Sequence, residues 1–351
     1  MTASTFTDIE PRMRLYQDVT RTFEDIITEA YDDSGIGDLI AVRGKEDIKD
    51  VILQYQETDW QFTLRMAGRL GTVVIPNVML DEPQFTLGVP TRPGIDEKND
   101  IIYQMGRGFA EFRDKHNESI KFIQRYKQLM DVSESQNFLY YKMRSENSYK
   151  LGDNVNVGGK ALTVVQKSFA YEKGGIEEIY ILGHEQEFAV PFHHNRHIVG
   201  LELIGTVLAR DKYQMKLLLD IDANRPEYEK TWFYYSPVTN NGMYSMPLED
   251  ESVMLHWQSE DDHDAVIVRP VRKNSDAMPH HGERHFLDEN DNHMKMVPGK
   301  IEYTNPVGSM KWLESIGFDI STDKDFVLKA EKDIAIKSSK QVEMHSPAQI
   351  I

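Results

Sequence analysis

The 351-residue sequence contains no cysteine, which excludes disulfide bonds and thiolate chemistry. It has no apolar run near the roughly 18 residues that a membrane-spanning helix needs. The opening segment, MTASTFTDIEPRMR, has no basic region followed by an apolar stretch, so we expect no signal peptide. Together these absences predict a protein that is made and folded in a cytoplasm.

Basic residues are scarce relative to acidic ones: 40 Lys and Arg stand against 57 Asp and Glu, for a net charge of −17. Nucleic-acid-binding proteins usually present a basic surface that displaces counterions, so we expect no nucleic-acid partner. The aromatic run Trp232-Phe233-Tyr234-Tyr235 leaves an alternative open, because exposed aromatic rings stack on bases. The same run also fits a strand whose alternate residues fill a barrel, and salt-dependent nucleic-acid binding would distinguish the two.

The sequence lacks the motifs of several enzyme classes. It has no nucleophile elbow, phosphate-binding loop, zincin helix or recognisable pair of glycosidase carboxylates. We therefore expect no catalytic residue, no cofactor and no enzymatic activity.

Two histidine-rich segments are weak candidates for metal binding. FHHNRH, with His193, His194 and His197, lacks the regular ligand spacing of zinc sites. The second segment lies within and directly after a polar stretch, residues 274–292, that is predicted to be a linker. Its imidazoles fit a metal site, a pH-sensitive cluster or a solvated linker, and we expect no bound metal. These weak candidates are His280, His281, His285 and His293.

Two amphipathic helices are predicted near the start of the chain. Residues 18–31 carry apolar side chains at helical spacing. Thr58-Asp59-Trp60-Gln61 fits a capping box, in which Thr58 accepts from the N3 amide and Gln61 reaches back. Gly71 is placed as a C-cap glycine.

The middle of the chain is predicted to be β structure. A meander is expected between residues 96 and 190, with a tight hairpin at Gly158-Gly159, while residues 120–129 fit either helix or strand. Residues 196–273 contain five predicted strands, which suits a small barrel of the oligonucleotide/oligosaccharide-binding (OB) type. Those strands are residues 199–209, 214–221, 231–235, 252–257 and 265–272.

Rows of eight residues repeat from Gly317 onward. Positions 2 and 4 of each row are apolar, and residues two apart lie on one face of a strand. The boundary between rows is charged or polar, which is typical of an exposed corner. The last row begins without finishing, so we expect the repeat to continue. The apolar positions, our predicted trimer-core residues, are Phe318, Ile320, Phe326, Leu328, Ile334, Ile336, Val342, Met344 and Ile350.

Two apolar side chains per row are too few for one chain to form a core. Burying them is worth roughly 3–6 kcal/mol, whereas ordering eight residues costs on the order of 8–16 kcal/mol in backbone entropy. Repeats this short generally need stacking or association, so we expect three chains to share the core. The alternative is a meander covered by the rest of the chain. A helix is disfavoured, because positions 2 and 4 would lie about 200° apart around its axis.

Three segments resemble the hub-and-spike proteins of contractile injection machines. This family includes the VgrG-type spikes of type VI secretion and the central spikes of phage tails and tailocins. ILQYQETDWQF with Arg65 and Ala67 is similar to the family's QYxETDxxFxxRLxExxG segment. LGDNV, at residues 151–155, is similar to the start of the second tube-like barrel, and residues 232–257 resemble the OB signature.

The sequence departs from the family pattern in two places. Glu249-Asp250-Glu251 replaces the Gly-Asp that the family usually carries in the OB turn. Rows 325–348 lack the corner glycine of the phage octads and are more similar to the VgrG version.

The resemblance implies a mainly β fold with some α (α+β), in four parts. Residues 1–95 would form a first tube-like hub domain and residues 96–195 a second, β-barrel hub domain. Residues 196–273 would form an OB-fold barrel. Residues 274–351 would form a linker and an octad-repeat, triple-stranded β-helix stalk.

The same resemblance implies a structural homotrimer that joins a tail tube and baseplate to a rigid membrane-puncturing needle. The implied partners are the tail tube or its initiator, baseplate wedge proteins, a PAAR-like tip protein or cargo, and the target-cell envelope on firing. The protein would be cytoplasmic on synthesis and then assembled into a phage-tail-like particle. The alternative is a trimeric β-helical tailspike-like enzyme that cleaves envelope polysaccharide or peptidoglycan.

Overall fold

A computed structural model describes residues 10–34, 38–77, 84–90, 92–97, 102–107, 139–145, 147–172, 174–184, 189–190, 192–224, 228–237, 244–271 and 281–345. The chain divides into two compact units, Met1–Arg272 and Lys273–Ile351. Strands dominate, and the described residues include two α-helices, so the predicted mainly β class with some α is confirmed. No helix in this described part is long and apolar enough to cross a membrane.

The first unit contains both helices and most of the strands. The helices are α1 Phe23–Ser34 and α2 Asp59–Arg69. The strands are β1 Arg12–Tyr16, β2 Asp38–Ala41, β3 Ile52–Glu57, β4 Val74–Pro76, β5 Gln84–Leu87, β6 Ile95–Glu97, β7 Ile102–Arg107, β8 Leu139–Arg144, β9 Asn154–Val157, β10 Lys160–Glu172, β11 Gly175–Gly183, β12 Glu202–Asp211, β13 Gln214–Leu219, β14 Trp232–Tyr234, β15 Ser252–Trp257 and β16 Ala265–Pro270.

Helix α2 begins at the predicted capping box. Thr58 Oγ1 accepts a hydrogen bond from the Gln61 amide at 3.2 Å, and Gln61 Oε1 accepts one from the Thr58 amide at 3.0 Å. The helix ends at Arg69, and Gly71 has a φ of 60°, a conformation that glycine adopts without strain. Both predicted ends of this helix are confirmed.

Helix α1 begins at Phe23, five residues after the predicted start. Thr22 and Asp25 form a reciprocal pair that fixes this start: Asp25 donates its amide to Thr22 Oγ1 at 3.1 Å, and Thr22 donates its amide to Asp25 Oδ2 at 2.9 Å. The periodicity of residues 18–31 identified the buried face but not the capping residue that sets its boundary.

Replacing Thr58 with alanine should destabilise the first unit by about 1 kcal/mol, because the Gln61 amide at the start of α2 loses its acceptor, the Thr58 hydroxyl. Urea denaturation followed by circular dichroism measures this change. Thr58→Ser is the matched control, since it keeps the hydroxyl and should stay close to wild type. Equal stabilities for the two variants would contradict the capping role.

A six-stranded sheet forms the middle of the first unit, in the order β6-β9-β10-β11-β8-β7. The predicted hairpin is confirmed, because β9 and β10 pair around Gly158 and Gly159, both of which have positive φ. Residues 120–129 lie outside the described residues. The core of this sheet consists of Tyr141, Met143, Tyr149, Val155, Val157, Leu162, Val164, Tyr180 and Leu182.

The five strands predicted after residue 196 are all present and form one antiparallel sheet, in the order β14-β13-β12-β15-β16. Its two outer strands meet, because Tyr235, just after β14, bridges to Ile267 on β16. The Ser236 amide also donates to the Ile267 carbonyl at 2.8 Å. The sheet therefore closes on itself around a core that includes Trp257, Leu217 and Val207.

Strands β1 and β3 form a two-stranded ribbon that belongs to two cores at once. Leu15 lies opposite Leu53, and both side chains enter the core of the closed sheet. Tyr16 lies opposite Ile52, and both enter the core built by the two helices. Neighbouring residues of a strand point to opposite faces, so one short ribbon joins these two cores.

The second unit contains an antiparallel meander of five strands. They are β17 Arg284–Leu287, β18 His293–Val297, β19 Lys300–Asn305, β20 Gly308–Leu313 and β21 Gly317–Thr322. The prediction that residues 274–292 are all linker is wrong for β17, which pairs with β18 along its length. Residues 323–345 are described without strand or helix. The predicted boundaries at 95/96, 195/196 and 273/274 stay predictions.

Candidate functional site: an exposed apolar sheet face and a buried charged junction

Strands β18, β19 and β20 alternate polar and apolar side chains, with the sequences HMKMV, KIEYTN and GSMKWL. The antiparallel register aligns the apolar positions across strands. Met296 lies opposite Ile301, and Ile301 lies opposite Trp312. Trp312 in turn lies opposite Phe318 on β21. One face of the sheet is therefore apolar from edge to edge.

This apolar face is exposed in the single chain. Trp312 is 67% exposed and Phe318 is 62% exposed. A sheet normally turns its apolar face toward a core and its polar face toward water. Here, by contrast, the large apolar side chains are exposed to solvent. The members of the apolar face are Phe286, Met294, Met296, Ile301, Tyr303, Met310, Trp312, Phe318 and Ile320.

The opposite face carries charges of alternating sign across the strands. Lys295 lies opposite Glu302, Glu302 opposite Lys311, and Lys311 opposite Asp319. Glu302 accepts a hydrogen bond from Lys300 Nζ at 2.7 Å, and this bond holds the pKa of its carboxyl below the usual range. Opposite charges placed directly across strands stabilise a sheet in water, so this polar face suits solvent.

The predicted trimer-core residues fall into three groups. Phe318 and Ile320 lie on β21 and belong to the apolar face. The members between residues 326 and 344 are also exposed, at 48% to 62%. Ile350 lies outside the described residues. The assignment of these side chains to a trimer core stays a prediction.

Sequence reasoning from the octads identified only two of the nine members of the apolar face. The other seven precede Gly317, where no eight-residue period exists. Their period-two alternation is nevertheless the signal of strands with one apolar face. This pattern extends the exposed apolar surface back to β17.

The segment similar to the family motif lies in a junction of buried charges next to the closed sheet. Arg65, on α2, is fully buried. Its guanidinium donates to both oxygens of Glu57 at 2.8 and 2.7 Å and to Asp262 Oδ2 at 3.2 Å. Arg69 forms an ion pair with the same Asp262 carboxylate. Two arginines and two carboxylates thus compensate one another out of contact with water.

The charges of this junction reinforce one another. Burial by itself lowers the pKa of Arg65, but the neighbouring Asp262 and Glu57 carboxylates outweigh it and raise that pKa overall. Burial by itself raises the pKa of Asp262, but Arg69 and Arg65 outweigh it and lower that pKa overall. Both groups are therefore charged at neutral pH.

The same junction holds the ribbon of β1 and β3 against the closed sheet. Asp262 Oδ1 accepts from the Leu53 amide at 2.8 Å, and the Asp262 carbonyl accepts from Trp257 Nε1 at 3.2 Å. On the neighbouring strand, the Leu15 amide donates to Asp222 Oδ1 at 3.2 Å. Sequence reasoning missed Asp262, because it is 197 residues from Arg65 along the chain.

The first histidine segment does not form a ligand cluster. Among the described residues, no group of three or more His, Cys, Asp or Glu side chains is arranged to hold a metal ion. His193 and His197 are exposed. His194 is half-buried, and its burial lowers the pKa of its imidazole.

The second histidine segment is only partly brought together. His280 lies outside the described residues, and His281 lies in the turn before β17. His285 and His293 are in contact, with His285 Nδ1 3.0 Å from His293 Nε2. Both residues are on neighbouring strands, β17 and β18.

The aromatic run on β14 alternates between the two sides of the closed sheet. Phe233 is buried in the core, as the barrel-filling interpretation predicts. Trp232 and Tyr234 point outward and are exposed. The expectation of no nucleic-acid partner stays a prediction.

Comparison with known proteins finds similarity only among solved structures. No family model matches the chain, and no curated protein matches it. A solved structure of the Francisella PdpA-VgrG complex in its lidded form is similar, with a TM-score of 0.53 at 7% identity, over 92% of this chain and 64% of that one. The half-lidded form gives 0.52 at 9% identity, over 90% and 70%.

A third solved structure is a 43 kDa tail protein of prophage MuSo2 from Shewanella oneidensis. Its TM-score is 0.38 at 12% identity, over 54% of this chain and 70% of that one. This chain spans less than two thirds of the lidded Francisella chain that it matches. At these identities the similarity concerns the fold alone, and it relates this chain to a chain of the Francisella PdpA-VgrG complex.

Proposed function

We propose that this protein is a structural component of a contractile tail-like machine: a homotrimeric hub whose second unit starts a spike. The exposed apolar face of the β17–β21 sheet is the observation that carries the proposal. Large contiguous apolar patches on a soluble protein mark interaction surfaces. The fold similarity to a chain of the Francisella PdpA-VgrG complex supports a tail-related setting.

In this proposal, two further copies of this chain pack against the apolar face and bury it. In sequence, the apolar positions of the octads continue directly from Phe318 and Ile320 on β21, and in this proposal sheet and octads share one apolar strip. Three strips around a common axis bury one another, and each polar face with its charge ladder then points outward. Closed cyclic association also leaves no strand edge free for aggregation.

The first unit is the proposed hub. Its six-stranded sheet and its α/β part correspond to tube-like domains, and its closed five-stranded sheet corresponds to an OB-type barrel. In this proposal the hub contacts the tail tube or its initiator and baseplate wedge proteins, and the octad stalk receives a PAAR-like tip protein or cargo. The chain contributes stiffness and geometry and no catalysis.

Light scattering coupled to size-exclusion chromatography tests the oligomeric state directly. We expect the mass of three 40.6 kDa chains, and one class of negative-stain images should show three-fold symmetry. A chain that remains monomeric at high concentration would contradict the proposal. Release of saccharide from peptidoglycan or capsule would instead support the tailspike-like enzyme.

A further inference from the structure

We propose that His285 Nδ1 and His293 Nε2 form a two-ligand binding site for a divalent transition metal of the Zn²⁺ class, in which Glu283 is not a ligand but the hydrogen-bond partner of His285. This inference rests on two imidazoles on adjacent strands, one of which is hydrogen-bonded to a carboxylate. The site lies on the polar face of the sheet, so it does not depend on whether the apolar face is covered.

Strand register brings the two imidazoles together. His285 lies opposite Lys295, and His293 lies two residues before Lys295 on the same strand. Residues two apart share a face, so the two histidines are diagonal neighbours. The turn between the strands is held by Asp288, whose carboxylate accepts from the Asn292 amide at 2.9 Å. The ligands therefore lie on a closed hairpin rather than on a loose loop.

The distance between the nitrogen atoms is close to that of a metal site. His285 Nδ1 and His293 Nε2 are 3.0 Å apart, and the two rings are inclined by 27°. A tetrahedral zinc with Zn–N bonds of about 2.0–2.1 Å requires ligand nitrogens about 3.3 Å apart. Metal binding therefore needs the contact to open by about 0.3 Å and both rings to turn until their lone pairs converge on the metal, changes that side-chain rotations can supply.

Glu283 gives His285 the tautomer that a metal needs. Its Oε2 lies 2.7 Å from His285 Nε2, so that nitrogen donates its hydrogen to the carboxylate. The Nδ1 of the same ring then presents its lone pair to His293. Ligating histidines commonly donate their second ring N–H to a carboxylate in this way, which orients the ring and increases its basicity.

Metal binding conserves the hydrogens of the two imidazoles and needs no additional reactant. In the free protein, His293 Nε2–H donates to His285 Nδ1. On binding, the hydrogen of His293 moves to its own Nδ1 by exchange with water, and both ligating nitrogens stay neutral. Lys295 Nζ, 3.3 Å from Glu283, balances the charge of the carboxylate. Water molecules complete the coordination shell.

Titration of the tag-free full chain with Zn²⁺ in an isothermal calorimeter tests the site. We expect one Zn²⁺ per chain. His285→Gln and His293→Gln should each weaken binding at least tenfold, because a single imidazole remains. Glu283→Gln should weaken it by roughly 10- to 100-fold, because the ring loses its carboxylate partner.

His263→Ala is the matched control, since His263 is an exposed histidine that contacts Asp50 at 3.1 Å elsewhere in the chain. Its Zn²⁺ affinity should equal that of wild type. Circular dichroism and light-scattering mass verify that each variant keeps its fold and assembly. No heat of binding in wild type would overturn the proposal. Unchanged binding in the H285Q/H293Q double variant would also overturn it.

Discussion

Replacing Arg65 with methionine is expected to destabilise the first unit by about 3–5 kcal/mol. The substitution leaves Glu57 without its bidentate partner and removes one of the two arginines that compensate Asp262. Breaking a buried ion pair from one side is costly, because the remaining charge stays buried. Urea denaturation followed by tryptophan fluorescence suits the measurement, since Trp257 donates to the Asp262 carbonyl.

Arg269→Met is the control for this experiment. Arg269 pairs with Glu202 at 3.0 Å on the surface, with both side chains largely exposed, so its loss should cost at most about 1 kcal/mol. Asp262→Asn provides a second comparison. Combined with Arg65→Met, it should cost less than the sum of the two single changes, because both remove parts of one network. An Arg65→Met chain as stable as Arg269→Met would contradict the role of the junction.

Ile320→Asp is expected to convert the proposed trimer to monomer or aggregate, whereas Ser321→Asp should leave it intact. The two residues are adjacent on β21, so their side chains point to opposite faces of the sheet. Ile320 lies opposite Met310 on the apolar face, and Ser321 lies opposite Ser309 on the polar face. Three carboxylates buried around one axis would each cost several kcal/mol.

Light-scattering mass and melting temperature measure this pair of variants. Ile336→Asp extends the test into the octads and should have the same effect as Ile320→Asp if the octads share the axis. A trimeric, equally heat-stable Ile320→Asp chain would reject the assignment of the apolar face. If Ile320→Asp disrupts the trimer and Ile336→Asp does not, the interface is confined to the sheet.

Local signals in the sequence were sufficient for several elements. The capping box at Thr58 set the start of α2, and the strand at residues 252–257 was predicted to the residue. Both depend on hydrogen bonds or alternation within a few residues. The start of α1 was misplaced, because the pair of Thr22 and Asp25 outweighs the hydrophobic periodicity that continues before it.

Long-range partners were beyond the reach of sequence reasoning. Asp262 and Asp222 contribute to the junction from more than 190 residues away, and nothing in their own neighbourhoods indicates an ionic or backbone partner. The pairing of β17 with β18 was missed for a different reason. The histidines and acidic residues around β17 resemble a linker in composition, and only the register of the sheet reveals its alternation.

The ribbon of β1 and β3 has a consequence for how the chain is made. Leu15 and Leu53 need partners from the closed sheet, and the hydrogen bonds that anchor them span 207 and 209 residues. At a synthesis rate of roughly 5–20 residues per second, these side chains emerge from the ribosome roughly 10–40 s before their partners exist. The nascent chain therefore has to keep one apolar side of its first strands protected until translation is well past the middle. A variant that weakens the junction should therefore first be detected as prolonged chaperone binding during synthesis.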